Sequence, residues 1–189
     1  ERMSNYTDAA SYYFQSLRIH ESIPGNEQAV AGCLGGIAVI YFLQKDYEKS
    51  LEYSIKVIKI QQAIKNEVGL ANEYINVADT YYRLSDSVNA SKYNNLALAL
   101  TKKLGLPFQE GIVYSQLGVL NSKNPEISLG YLFKAQKKLE AISPVFSSTI
   151  LNRGEIGKAF LKLYKAGKKM PVIEDNTDVL TRPEDILQK

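Results

Sequence analysis

The chain has 189 residues, of which 45% are hydrophobic and 23% are charged, a composition that fits one ordinary globular domain. Its net charge of +3, with the basic residues in isolated doublets rather than a dense run, argues against a nucleic-acid partner. A single cysteine excludes an intrachain disulfide and a thiol-based zinc cluster, and no apolar run approaches the roughly 20 residues of a membrane span.

The first segment, residues 6–23, has the pattern of the second helix of a helix pair. Its apolar and aromatic residues match those of a later helix: Tyr6, Tyr12, Leu17 and Ile19 correspond to Tyr47, Tyr53, Ile58 and Ile60. Its own first helix is missing or reduced to a stub. We therefore expect an uncovered apolar face here, and the early start of the helical pattern suggests a segment cut from a longer protein.

Residues 27–64 have the pattern of two helices joined by a tight turn. Small or apolar residues recur at the spacing of one helix face in the first half. Lys45-Asp46 breaks this pattern, and a second amphipathic run follows at 47–64. The pair is closed by Lys65-Asn66, since asparagine is tolerated in the left-handed conformation that often ends a helix.

The same pair recurs twice further along the chain. Residues 67–104 form one copy, which is closed by Gly105 and by Pro107, a residue that cannot continue a helix. Residues 108–142 form the next copy, in which the turn before Pro125 is shortened.

The last part of the chain changes in composition. Residues 145–167 predict one further helix, an incomplete repeat that ends the array begun at residue 1. Residues 168–189 contain Pro171 and Pro183 and predict an extended linker or tail with at most one short helix.

The helix pairs repeat at a period of 40 residues. Ile37-Ala38-Val39-Ile40-Tyr41 recurs as Val77-Ala78-Asp79-Thr80-Tyr81 and, more weakly, as Leu117-Gly118-Val119-Leu120-Asn121. A fixed period of this length predicts an all-α solenoid of antiparallel helix pairs rather than a globule with one central core. The small residues Ala38, Ala78 and Gly118 are expected where the two helices of a pair come closest.

This alternation of large and small residues resembles the tetratricopeptide repeat. The matching residues are Leu34, Ile37, Ala38, Tyr41, Ser50, Ser54 and Val57, then Tyr74, Val77, Ala78, Tyr81, Ala90, Asn94 and Ala97, and finally Tyr114, Leu117, Gly118, Asn121 and Ser128. The period is longer than usual for the family and resembles the long repeats of bacterial signalling proteins. The resemblance implies a right-handed superhelix whose first helices line a concave, partner-binding groove.

The resemblance also maps individual residues onto that groove. The second repeat contributes Gly32, Gly35, Gly36, Val39 and Phe42, the third Asn72, Asn76, Asp79, Tyr82 and Arg83, and the fourth Ser115, Gln116 and Lys123. Asparagine side chains can hold a peptide backbone, because each offers donors and an acceptor. A solvated helix face is the alternative for the asparagines, and Tyr82 is the expected aromatic anchor.

Three glycines within five residues of one helix need an explanation, since each costs roughly 0.8–1 kcal/mol relative to alanine. One interpretation is that Gly32, Gly35 and Gly36 leave a bare backbone patch, which a partner can approach closely. The other is that they pack against the preceding helix of the array.

The sequence offers little for catalysis. His20 is the only histidine, so a catalytic triad, a histidine-based metal site and most acid–base pairs lack their usual member. No Gly-Lys-Ser or Gly-Lys-Thr sequence follows Gly36, which argues against a phosphate-binding loop. We therefore expect a non-enzyme without a metal or another cofactor.

We expect a protein–protein interaction module that binds a peptide or helix, as the regulatory or sensor part of a larger bacterial signalling protein. The alternatives are a free-standing adaptor and a module that self-associates through open solenoid ends. An RNA-binding helical repeat is disfavoured by the balanced charge. We expect a cytoplasmic location without membrane insertion, with a periplasmic sensor region as the alternative.

Overall fold

The computed structural model describes residues 2–142 and 147–168, which are all-helical and contain no β-strand. The helices of these residues are α1 (Arg2–Glu21), α2 (Glu27–Leu43), α3 (Tyr47–Ala63), α4 (Glu67–Arg83), α5 (Ser87–Leu104), α6 (Pro107–Leu120), α7 (Pro125–Glu140) and α8 (Ser147–Lys165). The predicted all-α fold of helix pairs is thereby confirmed. The predicted tail lies, from residue 169 onward, outside the described residues.

Within α1 to α5 and within α6 to α8, each helix packs against the next helix of the chain. The first and second helices of a pair are in contact in three cases, α2 with α3, α4 with α5 and α6 with α7. Helix α1 packs against α2 in the way that α3, a second helix, packs against α4, the first helix of the next pair. Helix α8 packs against α7 in the same way, with α7 as the second helix and α8 as the first helix that follows it. Helices α1 and α8 thus each continue the alternation of first and second helices within their own part of the chain.

Short turns with a left-handed residue reverse the chain between helices. Lys45 and Ser85 have φ angles of 65° and 62°, a conformation that non-glycine residues adopt at some cost. After Lys45, the amide of Asp46 donates a hydrogen bond to the Tyr41 carbonyl at 2.9 Å. The Asp46 carboxylate in turn accepts a hydrogen bond from the Lys49 amide at 3.2 Å and so caps the start of α3.

Small residues lie where the two helices of a pair come closest, as predicted. Ala78 is completely buried, and the equivalent Gly118 accepts a hydrogen bond at 2.8 Å from the Ser128 hydroxyl of α7 through its carbonyl. A β-carbon at Gly118 would collide with the Leu132 side chain. A larger residue at this position would therefore force the two helices apart.

Stacked tyrosines join the first and second helices near the turn in the α2/α3 and α4/α5 pairs. The rings of Tyr41 and Tyr53 lie with their centroids 5.5 Å apart at an interplanar angle of 16°. Tyr81 and Tyr93 repeat this arrangement, at 5.5 Å and 20°. These tyrosines are structural, because each contributes both apolar area and an aromatic contact to the pair.

The chain forms two compact units, the first ending at Leu104 and the second beginning at Gly105. In the first unit, the core between α1, α2 and α3 is built from Leu17, Ala31, Cys33, Leu34, Ile37 and Val57. In the second, α7 and α8 bury Leu129, Leu132, Ile156, Ala159, Phe160 and Leu163. The predicted division into one array and a tail stays a prediction.

Candidate partner-binding faces

In the first unit, α2 and α4 carry the residues that the resemblance assigns to a groove. We call the accessible set the α2/α4 face: Gly32, Gly35, Val39, Phe42, Asn72, Asn76, Asp79, Tyr82 and Arg83. Val39 and Tyr82 are 49% and 41% exposed, and both asparagines are exposed as well. Asn72, Asn76 and Asp79 share one side of α4, because they are spaced by four and three residues.

The glycine cluster divides into two parts. A β-carbon added at Gly36 would collide with the ring of Tyr13 in α1, so this glycine makes room for the preceding helix. Gly32 and Gly35 have nothing within 4 Å of the same position. The packing interpretation thus accounts for Gly36, whereas Gly32 and Gly35 leave the backbone of α2 open to an approaching molecule.

Arg83 forms an ion pair with Asp79 within α4 and also reaches the Phe42 ring of α2. The Arg83 Nε lies 3.4 Å from the Asp79 Oδ1, and the Arg83 guanidinium lies 5.8 Å from the centroid of the Phe42 ring. Partial burial raises the pKa of Asp79, and the neighbouring Arg83 opposes this shift. Asp79 is therefore a partly desolvated carboxylate with one long ion-pair contact.

Glu73 lies beside this face but points into the protein. It is 5% exposed, and the Asn76 amide donates a hydrogen bond to its Oε2 at 3.3 Å. Burial raises the pKa of Glu73, while hydrogen bonds from Ser54 and Asn76 lower it to a smaller extent. Glu73 thus positions one of the two face asparagines from below.

In the second unit, α6 and the turn after it carry the residues predicted for the fourth repeat. Ser115 and Gln116 are half-buried on α6, and Lys123 is exposed in the turn before α7. These three residues offer fewer exposed side chains than α4 does. The predicted groove residues therefore lie in both units.

Helix α8 extends this surface with residues that sequence reasoning missed. Ile156, Gly157 and Phe160 repeat the large–small–aromatic spacing of Val77, Ala78 and Tyr81. By this register, Leu151 and Leu161 take the positions of Asn72 and Tyr82, and they are 71% and 41% exposed. The signal was present in the sequence, but the glycine and phenylalanine replace the usual alanine and tyrosine.

The register is supported by a pair of equivalent contacts. In the first unit, Arg83 reaches Phe42 at the end of the preceding first helix. In the second unit, Lys162 takes the position of Arg83, and its Nζ donates a hydrogen bond to the Ser122 carbonyl, just past the end of α6, at 2.9 Å. We call the resulting set the α6/α8 face: Ser115, Gln116, Lys123, Leu151, Gly154, Glu155, Lys158, Leu161, Lys162 and Lys165.

The described residues also bear on two other kinds of site, a metal site and a membrane span. Within residues 2–142 and 147–168, no three His, Cys, Asp or Glu side chains are grouped so that they could hold a metal ion. None of the helices in this part of the chain has the length and apolarity needed to cross a membrane.

The tetratricopeptide repeat family model matches residues 29–103, which span α2 to α5 with their stacked tyrosines and small contact residues. Residues 29–103 belong to the tetratricopeptide repeat family. Repeats of this family are interaction modules that generally bind protein or peptide partners and are typically non-catalytic. None of the curated proteins matches the sequence.

A solved structure extends the fold beyond the matched repeats. The chain is similar to the crystal structure of BtubC (BKLC) from P. vanneervenii, with a TM-score of 0.66 and 16% sequence identity. The similarity covers 96% of this chain and 82% of that one. At this identity the likeness shows a shared helical repeat fold.

Proposed function

We propose that this chain is a non-catalytic module that binds a peptide or a helix of another protein along the exposed faces of its first helices. The observation that carries the proposal is the α2/α4 face, where α4 presents two exposed asparagines one turn apart and an exposed tyrosine, and α2 presents two glycines with open space at the β-carbon position. The α6/α8 face adds a second surface of the same helix type.

The α2/α4 face has the chemistry for holding a peptide backbone. Asn72 and Asn76 each carry amide donors and a carbonyl acceptor, which match the donors and acceptors of an extended main chain. Tyr82 supplies aromatic area, and such residues are enriched among those that dominate binding energy. Gly32 and Gly35 allow a partner to approach the backbone of α2 closely.

We further propose that the module is the regulatory or sensor part of a larger bacterial signalling protein, with a free-standing adaptor as the alternative. The support is the resemblance to the long repeats of such proteins. A larger partner domain on the same polypeptide would supply the output, whereas an adaptor would act by holding two proteins together.

A random 15-residue peptide library displayed on phage and selected against the full chain tests the binding proposal. We expect enriched peptides whose affinity falls about tenfold or more in the double variant Asn72→Ala/Asn76→Ala. The matched control is Asn95→Ala, an exposed asparagine on the second helix α5. Selected peptides that bind all three proteins equally would contradict the assignment of the α2/α4 face.

Self-association is a second candidate function, which one observation favours. Tyr12 and Ile19 of α1 are 71% and 60% exposed. Their equivalents in α3, Tyr53 and Ile60, are instead partly buried against the core that α3 shares with α2. A second copy that covered this face would bury both side chains.

Light scattering at rising concentration tests this candidate function and should show an oligomer. The oligomer should be lost in Tyr12→Lys and kept in the control Val88→Lys, which changes a similarly exposed residue of α5. A monomer at every concentration would contradict it.

A further inference from the structure

We propose that the α6/α8 face binds a helical segment that presents leucine-like side chains flanked by acidic residues. The inference rests on the proposed function, because it assumes that the first-helix faces bind partner segments. It adds the chemistry of the partner, and that chemistry comes from the exposed apolar residues and the charges of α8.

The apolar part of the face is formed by two exposed leucines. Leu151 and Leu161 are 71% and 41% exposed, and a β-carbon at the intervening Gly154 would meet nothing within 4 Å. Ten residues of α-helix place the two leucines about 15 Å apart along the axis. A partner helix lying along α8 would meet this span with apolar side chains that recur over three turns.

The charged part of the face is basic. Lys158 is paired with Glu155 at 2.7 Å, and Glu155 is the only acid in the set. The ammonium group of Lys162 contacts a neutral carbonyl, that of Ser122, and Lys165 and Lys123 are exposed. The lysines of α8 and Leu151 fall within an arc of about 60° on an ideal helix, so cations and apolar surface adjoin.

The α2/α4 face differs from the α6/α8 face in its charges and in its exposed apolar residues. Its two charged members, Asp79 and Arg83, pair with each other, and the position of Leu151 is occupied there by Asn72. Complementary charge raises association rates and excludes partners of the wrong sign. We therefore expect the α6/α8 face to discriminate by charge, and the α2/α4 face to do so much less.

The test uses the full chain and two designed 18-residue peptides. Both carry leucines at one helix face, with spacings of three, seven and ten residues from the first. One carries glutamates on the flanks of that face, and the other carries lysines at the same positions. The two peptides share apolar content, so a difference in affinity, measured by fluorescence anisotropy at low and at physiological salt, reports charge alone.

We expect the glutamate peptide to bind about tenfold more tightly than the lysine peptide, with the difference shrinking as salt rises. The double variant Leu151→Ser/Leu161→Ser should lose binding of the glutamate peptide, because both exposed side chains are removed without disturbing a core. Val88→Ser, on a 79% exposed residue of α5, should leave it unchanged. The double variant Lys158→Gln/Lys165→Gln should reduce the preference for glutamate, and Lys59→Gln, on α3, should not.

Three results would overturn the inference. Equal binding of both peptides, lost in the leucine variant, would remove the charge specificity while the proposed function survives. Binding of neither peptide would remove the face as a docking site, and the phage-displayed library with its asparagine variants would then decide the proposed function separately. Displacement of the glutamate peptide by phosphatidylserine vesicles, with tighter binding to the vesicles, would assign the face to an anionic lipid surface.

Discussion

The α2/α4 face and the α6/α8 face are built on the same helix type, yet they expose different chemistry. The first presents paired charges, two amides and an aromatic ring, and its apolar residues lie mainly on α2. The second presents two exposed leucines among lysines that exceed the acids. A repeat thus keeps the residues that hold the helices together, while the exposed positions of the same helices vary independently.

The largest expected effect concerns the shared packing rule rather than the exposed residues. Ala78 is completely buried between α4 and α5, so Ala78→Leu should overpack this contact and lower the free energy of unfolding by roughly 1–3 kcal/mol. The equivalent position in α8 is Gly157, where a β-carbon meets nothing within 4 Å. Gly157→Ala should therefore stabilise α8 by about 1 kcal/mol.

Thermal and urea unfolding followed by circular dichroism would check both variants. The chain forms two compact units, with Ala78 in the first and Gly157 in the second. Where the two units unfold in separate transitions, each variant should shift the transition of its own unit. If Ala78→Leu melts like the wild-type chain, the register of the repeat alignment is wrong.

The buried carboxylate of Glu73 gives the next largest effect. Burial raises its pKa, so the ionised form is disfavoured in the folded state. The chain should lose stability as pH rises from the unfolded carboxyl pKa through the raised pKa of the folded state. Glu73→Gln should remove this loss. At neutral pH the variant should be more stable than the wild-type chain by roughly 1–3 kcal/mol, the usual cost of desolvating a polar group. In acid, where the wild-type carboxyl is protonated, the variant should show no such gain.

Urea unfolding of wild type and Glu73→Gln at mildly acidic and at neutral pH measures this difference. Glu48→Gln, on an exposed residue of α3, is the control for the loss of a negative charge. A Glu73→Gln variant that tracks the wild-type chain at all pH values would show that Glu73 is not desolvated.

The smallest effect separates the two parts of the glycine cluster. Gly35→Ala should stabilise the chain by roughly 0.8–1 kcal/mol, because its β-carbon meets open space in a helix. Gly36→Ala should gain less or lose stability, because its β-carbon collides with the ring of Tyr13. In a chain that already carries Tyr13→Ala, adding Gly36→Ala should raise the free energy of unfolding, because the ring that collides with the new β-carbon is gone. Equal gains for the two single variants, measured by urea unfolding, would mean that α1 does not pack on Gly36.

The fold could be predicted from the sequence because the residues that decide it recur at a fixed spacing. Ala38, Ala78 and Gly118 mark the helix contacts, and Asp46 marks a turn, so helix order and pairing follow from local patterns. The small-residue contacts and the stacked tyrosines carry most of this information. Their exposed neighbours carry almost none.

The candidate faces could be predicted only in part. The residues of α4 followed from the register, but the role of Gly36 depends on the ring of Tyr13, which reaches it from another helix. The contribution of α8 was missed because Gly157 and Phe160 obscure the repeat. The exposure of Leu151 also depends on which helices surround α8, and no local pattern encodes that.

The most direct test is photo-crosslinking of the glutamate peptide to the full chain with p-benzoylphenylalanine introduced at Leu161, Tyr82 or Val88. Leu161 lies on the α6/α8 face, Tyr82 on the α2/α4 face, and Val88 on the exposed start of α5. Because the α6/α8 face is basic and the α2/α4 face has paired charges, we expect strong crosslinking from position 161, weak crosslinking from position 82 and none from position 88. Equal crosslinking from positions 161 and 82, or strong crosslinking from position 88, would contradict this expectation.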